Sequence, residues 1–124
     1  MPIKRVRLEL ARDPEHPEGS ANHGYEFIAP LTVDGHLDLD EWRRDPPSGW
    51  RVRRFWRGEP DLHGHLVHHR GGRWAFRYDD MPEVGEEPIF RFEQHSFVEG
   101  EYASITEYDG VQRTFRIVSV RDEE

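Results

Sequence analysis

Trp50-Arg51-Val52-Arg53-Arg54-Phe55-Trp56-Arg57 and, farther along, Arg73-Trp74-Ala75-Phe76-Arg77-Tyr78 are the stretches whose reading decides the fold. In the first, Trp50, Val52 and Trp56 share one parity while Arg51, Arg53 and Arg57 take the other. In the second, Trp74, Phe76 and Tyr78 oppose Arg73 and Arg77. Successive side chains of an extended chain point to opposite faces, so both stretches predict strands with one buried and one wet face. Clean alternation of this kind belongs to antiparallel sheets, because parallel strands are covered on both sides. Between the two lies His65-Leu66-Val67-His68-His69, a further short strand, followed by Gly71-Gly72. Paired glycines accept the positive φ angles of a tight turn, which predicts a β-hairpin over residues 64–79.

The same alternation extends in both directions. Val6, Leu8 and Leu10 alternate with Arg5, Arg7 and Glu9, and Tyr25, Phe27, Ala29 and Leu31 repeat the pattern, with Pro30 marking an edge or a strand end. Residues 13–22 hold two prolines, a glycine and polar turn formers, hence a surface loop. Asp38 followed by Glu41 has the form of a capping box, with Leu39 and Trp42 on one face of a short helix within 38–45 that Pro46 and Pro47 stop. Residues 79–88 are acidic and carry proline and glycine, which predicts an exposed loop, and Phe90 and Phe92 open the next strand. Asp109-Gly110 between two β-rich runs is a hairpin signal. In the last run Phe115 and Ile117 share a parity that Val118 and Val120 reverse, and a reversal within one strand requires a bulge or burial on both faces. The sum is a mainly β chain: a small antiparallel barrel or rolled sheet of about seven strands with one short helix, forming a single domain over residues 1–124.

Composition agrees with a compact fold. The chain has 124 residues, of which 35% are hydrophobic and 12% aromatic, too many aromatics for a disordered segment. It contains no cysteine, which excludes disulfides, thiolate metal sites and cysteine nucleophiles and fits a reducing compartment. No apolar run is long enough for a signal peptide or a membrane span, so the expected location is the cytoplasm. The formal net charge of −8 is unevenly spread. Residues 51–79 carry seven arginines against three acids, and residues 80–110 carry nine acids against one arginine. In an antiparallel sheet such neighbours are expected to form cross-strand ion pairs on a solvated face.

His23-Gly24-Tyr25-Glu26-Phe27, Arg51 to Glu59, Trp74 to Asp79 and Phe97 to Ile105 together resemble a family of short alphaproteobacterial proteins to which no activity is assigned. The resemblance spans nearly the whole chain. It implies no catalytic residue and no cofactor.

Candidate chemistry is sparse. His63, His65 and His69 share a strand parity, and neutral imidazoles so placed, with a carboxylate such as Glu59 or Asp61, could hold zinc, nickel or copper in a metal-dependent enzyme. Arginines interleaved with aromatics over 50–57 and 70–77 suggest single-stranded nucleic acid, but alternation puts Trp50, Trp56, Trp74 and Phe76 on the face away from most arginines, and the net charge opposes attraction to phosphate. No nucleophile elbow, phosphate loop or His-Glu-x-x-His motif is present, and nothing specifies a cofactor. Arg54 shares the inward parity with Trp50, Val52 and Trp56, so its guanidinium needs a buried acid, carbonyls or a bound anion. The residues thus favour a binding domain for a partner protein or a small anionic ligand, with Arg54, Trp56 and Trp74 as candidate ligand contacts.

Overall fold

In the computed structural model the residues described are 3–44, 50–70, 73–79, 97–107 and 109–122, together with the backbone of 86–90. They form eight antiparallel strands and one helix: β1 (Ile3–Leu10), β2 (Ser20–Pro30), α1 (Leu39–Arg44), β3 (Arg51–Trp56), β4 (Glu59–His69), β5 (Arg73–Tyr78), β6 (Glu86–Phe90), β7 (Tyr102–Thr106) and β8 (Gln112–Asp122). Each strand pairs with the next in sequence, and β8 returns to pair with β1, so the sheet is a closed up-and-down barrel. Closure removes the unpaired strand edges on which chains aggregate.

An eight-stranded barrel is just wide enough for side chains to fill it or to hold one small ligand. This one is filled. Tyr25, Phe27, Trp50, Phe76, Tyr78 and Phe115 are all fully buried, with Val6, Leu8, Leu66, Ile105 and Ile117 between them. Tyr25 stacks on Phe76 at 5.2 Å between ring centres and meets Phe115 edge-on at 5.1 Å. Aromatic pairs in these geometries add about 0.5–1.5 kcal/mol beyond the area they bury.

Curling a sheet this tightly needs bulges and close backbone approaches. The register of β1 with β8 shifts so that Arg7 faces Ser119 while Leu8 faces Ile117, which leaves Val118 as the extra residue. That bulge returns Val120 to the core side opposite Val6 and accounts for the reversed parity of the last strand. At Gly64 a Cβ would lie 1.8 Å from the Arg77 carbonyl oxygen, so no side chain fits where β4 crosses β5.

The two ends of the barrel are closed differently. At the end where β1 begins, α1 is capped as expected, Asp38 accepting from the Glu41 N–H at 3.1 Å. The Trp42 indole donates to the Leu66 carbonyl at 3.1 Å, and Trp50 donates to the Trp42 carbonyl at 3.0 Å. Trp74 meets Trp42 edge-on at 5.7 Å, and His68 lies 4.6 Å from Trp74. The opposite end, bounded by the β1–β2 loop and the β3–β4 and β7–β8 turns, is ionic. At the latter turn Gly110 has φ of 83° and Asp109 accepts from the Val111 N–H at 3.0 Å, the expected Asp-Gly hairpin.

Several expected boundaries need correction, the first being that Ser20–Asn22, expected in the loop over 13–22, belong to β2. Residues 86–88 belong to β6, not to a loop, because Ala75 pairs with Pro88 and Arg77 with Glu86; Pro88 lies before the β6–β7 register, which begins at Ile89. β6 also ends at Phe90, and Phe92 lies outside the described residues, as do Pro46, Pro47 and Gly71-Gly72. β4 is longer than expected, starting at Glu59, and the hairpin pairing of His69 with Arg73 is as expected.

Candidate ligand groove at the ionic end of the barrel

Arg54 points inward, as its parity requires, and its side chain is 4% exposed. Its Nε donates to Glu107 Oε2 at 3.1 Å and its Nη1 to Glu59 Oε1 at 3.2 Å. Glu107 is wholly enclosed: the Tyr25 hydroxyl donates to the same Oε2 at 2.7 Å, and Arg113 donates to Oε1 at 2.6 Å. Arg113 also reaches Asp109 at 3.2 Å. Burial, the largest influence, acts to lower the affinity of Arg113 for its proton, but the bonds to Glu107 and Asp109 outweigh it. Burial likewise acts to raise the Asp109 carboxyl, and the Val111 N–H and Arg113 together bring it below the usual carboxylate range. Trp56 lies beneath both cations, 4.4 Å from the Arg54 guanidinium and 5.4 Å from that of Arg113. Every charge in this network has a partner, which makes it a structural plug of the barrel end.

Next to it, β2 departs from regular pairing. Glu9 faces Gly24, yet the following residue, Leu10, faces Ser20, so Ala21, Asn22 and His23 are looped out as a wide bulge. Bulges concentrate at barrel rims and re-aim side chains. This one folds Ser20 back over His23, with Ser20 Oγ 2.6 Å from His23 Nδ1 and the Asn22 N–H donating to Ser20 Oγ at 3.1 Å. His23 is buried, its ring 4.5 Å from Trp56 edge-on and 4.8 Å from His16, which in turn lies 3.2 Å from Asp13. Burial foremost, then the charges of His16, Arg57 and Arg54, lowers the His23 pKa below 6.5, so its imidazole is neutral at pH 7.

Outside the barrel, the bulge and the β1–β2 loop form one wall of a groove of about 860 Å³ over the outer faces of β1 and β8. Ser20, Leu10, Val118 and the half-exposed Tyr102 line it, together with Arg12 and Arg116. Glu9 faces Arg116 in register, but its carboxylate is turned to Arg7 Nε at 2.8 Å. Among the described residues neither Arg12 nor Arg116 has an ion-pair partner.

The sequence candidates are distributed as follows. Arg54 and Trp56 are neighbours in the ionic plug, whereas Trp74 lies at the other end against Trp42, so the three do not form one site. His63, His65 and His69 do share the outer face of β4, with Leu62, Leu66 and His68 inward. However, Arg53 faces His63, Arg51 and Arg77 flank His65, and Arg73 faces His69. The nearby carboxylates Asp61 and Asp79 are taken up by Arg53 and Arg51, and among the described residues no three His, Asp or Glu side chains converge on a metal position. His65 Nδ1 lies 3.3 Å from Asp79 Oδ1, an ion-pair distance without hydrogen-bond alignment. Of these arginines Arg51 is paired with Asp79 and Arg53 with Asp61, and farther round the face Arg5 is paired with Glu26. Trp50, Trp74 and Phe76 are buried and offer no surface for base stacking. Among the described residues no helix is long and apolar enough to cross a membrane.

Ser20, His23, Arg12 and Arg116 were not singled out from sequence for a site. Ser20 sits in a run of turn formers, and a bulge leaves no mark on residue parity when it lies at a loop boundary. Comparison of the chain with family models, curated proteins and solved structures returns no match.

Proposed function

We propose that this protein is a binding protein for a small anionic ligand with an apolar body, held in the groove between the β1–β2 loop and the outer face of β8. The observation that carries the reading is the pair Arg12 and Arg116, cations without an ion-pair partner among the described residues in a concavity that Glu9 and Glu18 also line, beside a plug in which Arg54 and Arg113 are both neutralised. Guanidinium forks match carboxylate and phosphate oxygens, and Val118 and the Tyr102 ring supply the apolar floor such a ligand needs. A volume of about 860 Å³ lies within the range of small-molecule sites. The filled interior argues against a ligand inside the barrel, and the paired state of Arg54 argues against its serving as the anion contact.

Isothermal titration of the full chain with a panel of aliphatic and aromatic carboxylates and phosphate monoesters tests this. Binding is expected for at least one class and is expected to disappear in the Arg12→Gln/Arg116→Gln variant with the fold intact. Binding that persists in that variant, or none to any member of the panel, would contradict the proposal.

A further inference from the structure

We infer that Ser20 and His23 form a nucleophile–base pair and that the groove ligand is an ester carrying an anionic group, which this pair hydrolyses. The inference rests on the groove as the binding place and adds a reaction to it. Three observations converge on Ser20. It lines the groove that would hold the ligand. Its Oγ is 2.6 Å from His23 Nδ1, within reach of a base that takes its proton. The Asn22 N–H donates to that oxygen, and with the His23 proton on Nε2 the Ser20 hydroxyl hydrogen points at Nδ1. His23 is buried and neutral at pH 7, the form that accepts a proton, and Trp56 and His16 hold its ring from two sides. A hydroxyl–imidazole pair of this length could also serve only to close a turn. Here a three-residue bulge interrupts an otherwise regular ladder to create it, at the rim of a concavity.

The chemistry balances with water as the only co-reactant. Ser20 Oγ attacks the acyl carbon as its proton passes to His23 Nδ1. The C–O bond to the alcohol breaks, and the leaving oxygen takes the proton from His23, leaving an acyl ester on Ser20. Water then gives a proton to His23 and its oxygen to the acyl carbon, and Ser20 Oγ leaves with that proton. The products are one alcohol and one carboxylic acid, and no electron is gained or lost. Arg12 and Arg116 bind the anionic group of the substrate, while Trp56 and His16 are positioning residues for His23.

The test is covalent labelling of the full chain with a fluorophosphonate, read by intact mass and peptide mapping, alongside hydrolysis of mono-p-nitrophenyl succinate. Wild type is expected to gain one phosphonyl group, on Ser20, and Ser20→Ala none. His23→Gln should label about 100-fold more slowly, the scale of a lost general base. The wild-type labelling rate should rise with pH and level off once His23 is neutral, with its midpoint below 6.5. This profile needs no variant to fold, and a turn-closing role alone would not produce it. Absence of labelling, labelling at another residue, equal rates in His23→Gln, or a rate that keeps climbing with hydroxide would each overturn the inference. Anion titration of Ser20→Ala separates the two proposals: retained binding without labelling in wild type leaves the groove standing and removes only the reaction, whereas wild type that binds no anion removes the groove as well.

Discussion

The helix-capped end of the barrel and its ionic end close the same kind of opening by opposite means. At the first, Trp42, Trp50, Trp74 and His68 pack against one another, and two indole N–H groups stitch α1 to the strands. At the second, Glu107 is enclosed by Tyr25, Arg54 and Arg113. Removing one member of the apolar plug leaves a cavity, whereas removing one member of the ionic plug leaves a buried carboxylate with fewer partners, and the second is expected to cost more here because Trp42 is only partly buried. The ionic end also places ionised groups next to the rim where the groove lies, so solvent and ligands have a reason to approach there and not at the tryptophan end.

That comparison can be tested by substitution, starting with the largest effect. Arg54→Met removes one of the two guanidiniums on the buried Glu107 carboxylate, leaving it Arg113 and the Tyr25 hydroxyl, and is expected to lower unfolding free energy by about 3–5 kcal/mol in urea denaturation, the range for breaking buried pairs. A loss below about 1 kcal/mol would mean that water reaches the network. Trp42→Ala at the other end is expected to cost about 2–3 kcal/mol, under the range for a wholly buried tryptophan because Trp42 is only partly buried. If Trp42→Ala proves the more costly of the two, the ranking of the ends is wrong.

A smaller effect concerns pH. The folded pKa of His23 is held below its unfolded value of 6.5, chiefly by burial. As pH falls through 6.5 the unfolded chain takes up the proton first, so the stability His23 contributes is present above 6.5 and declines below it. Denaturation midpoints measured from pH 8 to 5 should therefore fall more in wild type than in His23→Gln, and parallel curves would refute the burial account. At the bottom of the range, Arg53→Ala, which breaks an exposed pair with Asp61, is expected to cost less than about 1 kcal/mol. Zinc or nickel is expected to leave the melting temperature of wild type and of a His63→Ala/His65→Ala/His69→Ala variant alike, since Arg53 and Arg51 take up the nearby carboxylates Asp61 and Asp79. A shift in wild type that the triple variant lacks would restore a metal site on β4.

The sequence carried the apolar half of this structure more legibly than the ionic half. Alternation in Trp50–Trp56 and Arg73–Tyr78 identified the strands and their inward faces because burial acts on every second residue. The parity reversal at Val118 marked a bulge for the same reason: it moved a buried residue out of phase. Arg54 was legible as a charge on the inward face, but not its partner. Glu107 lies 53 residues away, one acid among 25, and only closure of β8 onto β1 brings the ladder round. The β2 bulge was hidden because its residues border a loop that already breaks the alternation. The entry of β6 at Glu86 was hidden by acids and a proline that would mark a loop in an open sheet.

The division between a self-satisfied plug and a pair of waiting cations is tested most directly by measuring how much a groove-binding carboxylate or phosphate stabilises three proteins: wild type, Arg54→Met and Arg12→Gln/Arg116→Gln. A ligand that binds only the folded state adds about 2.7 kcal/mol at a hundred times its dissociation constant. The expected result is that Arg54→Met starts from a lower stability yet keeps the full anion increment, while the double variant starts near wild type and loses it. Loss of the increment in Arg54→Met with its retention in the double variant would contradict this division, because it would make the buried Arg54 the anion contact and the groove arginines bystanders.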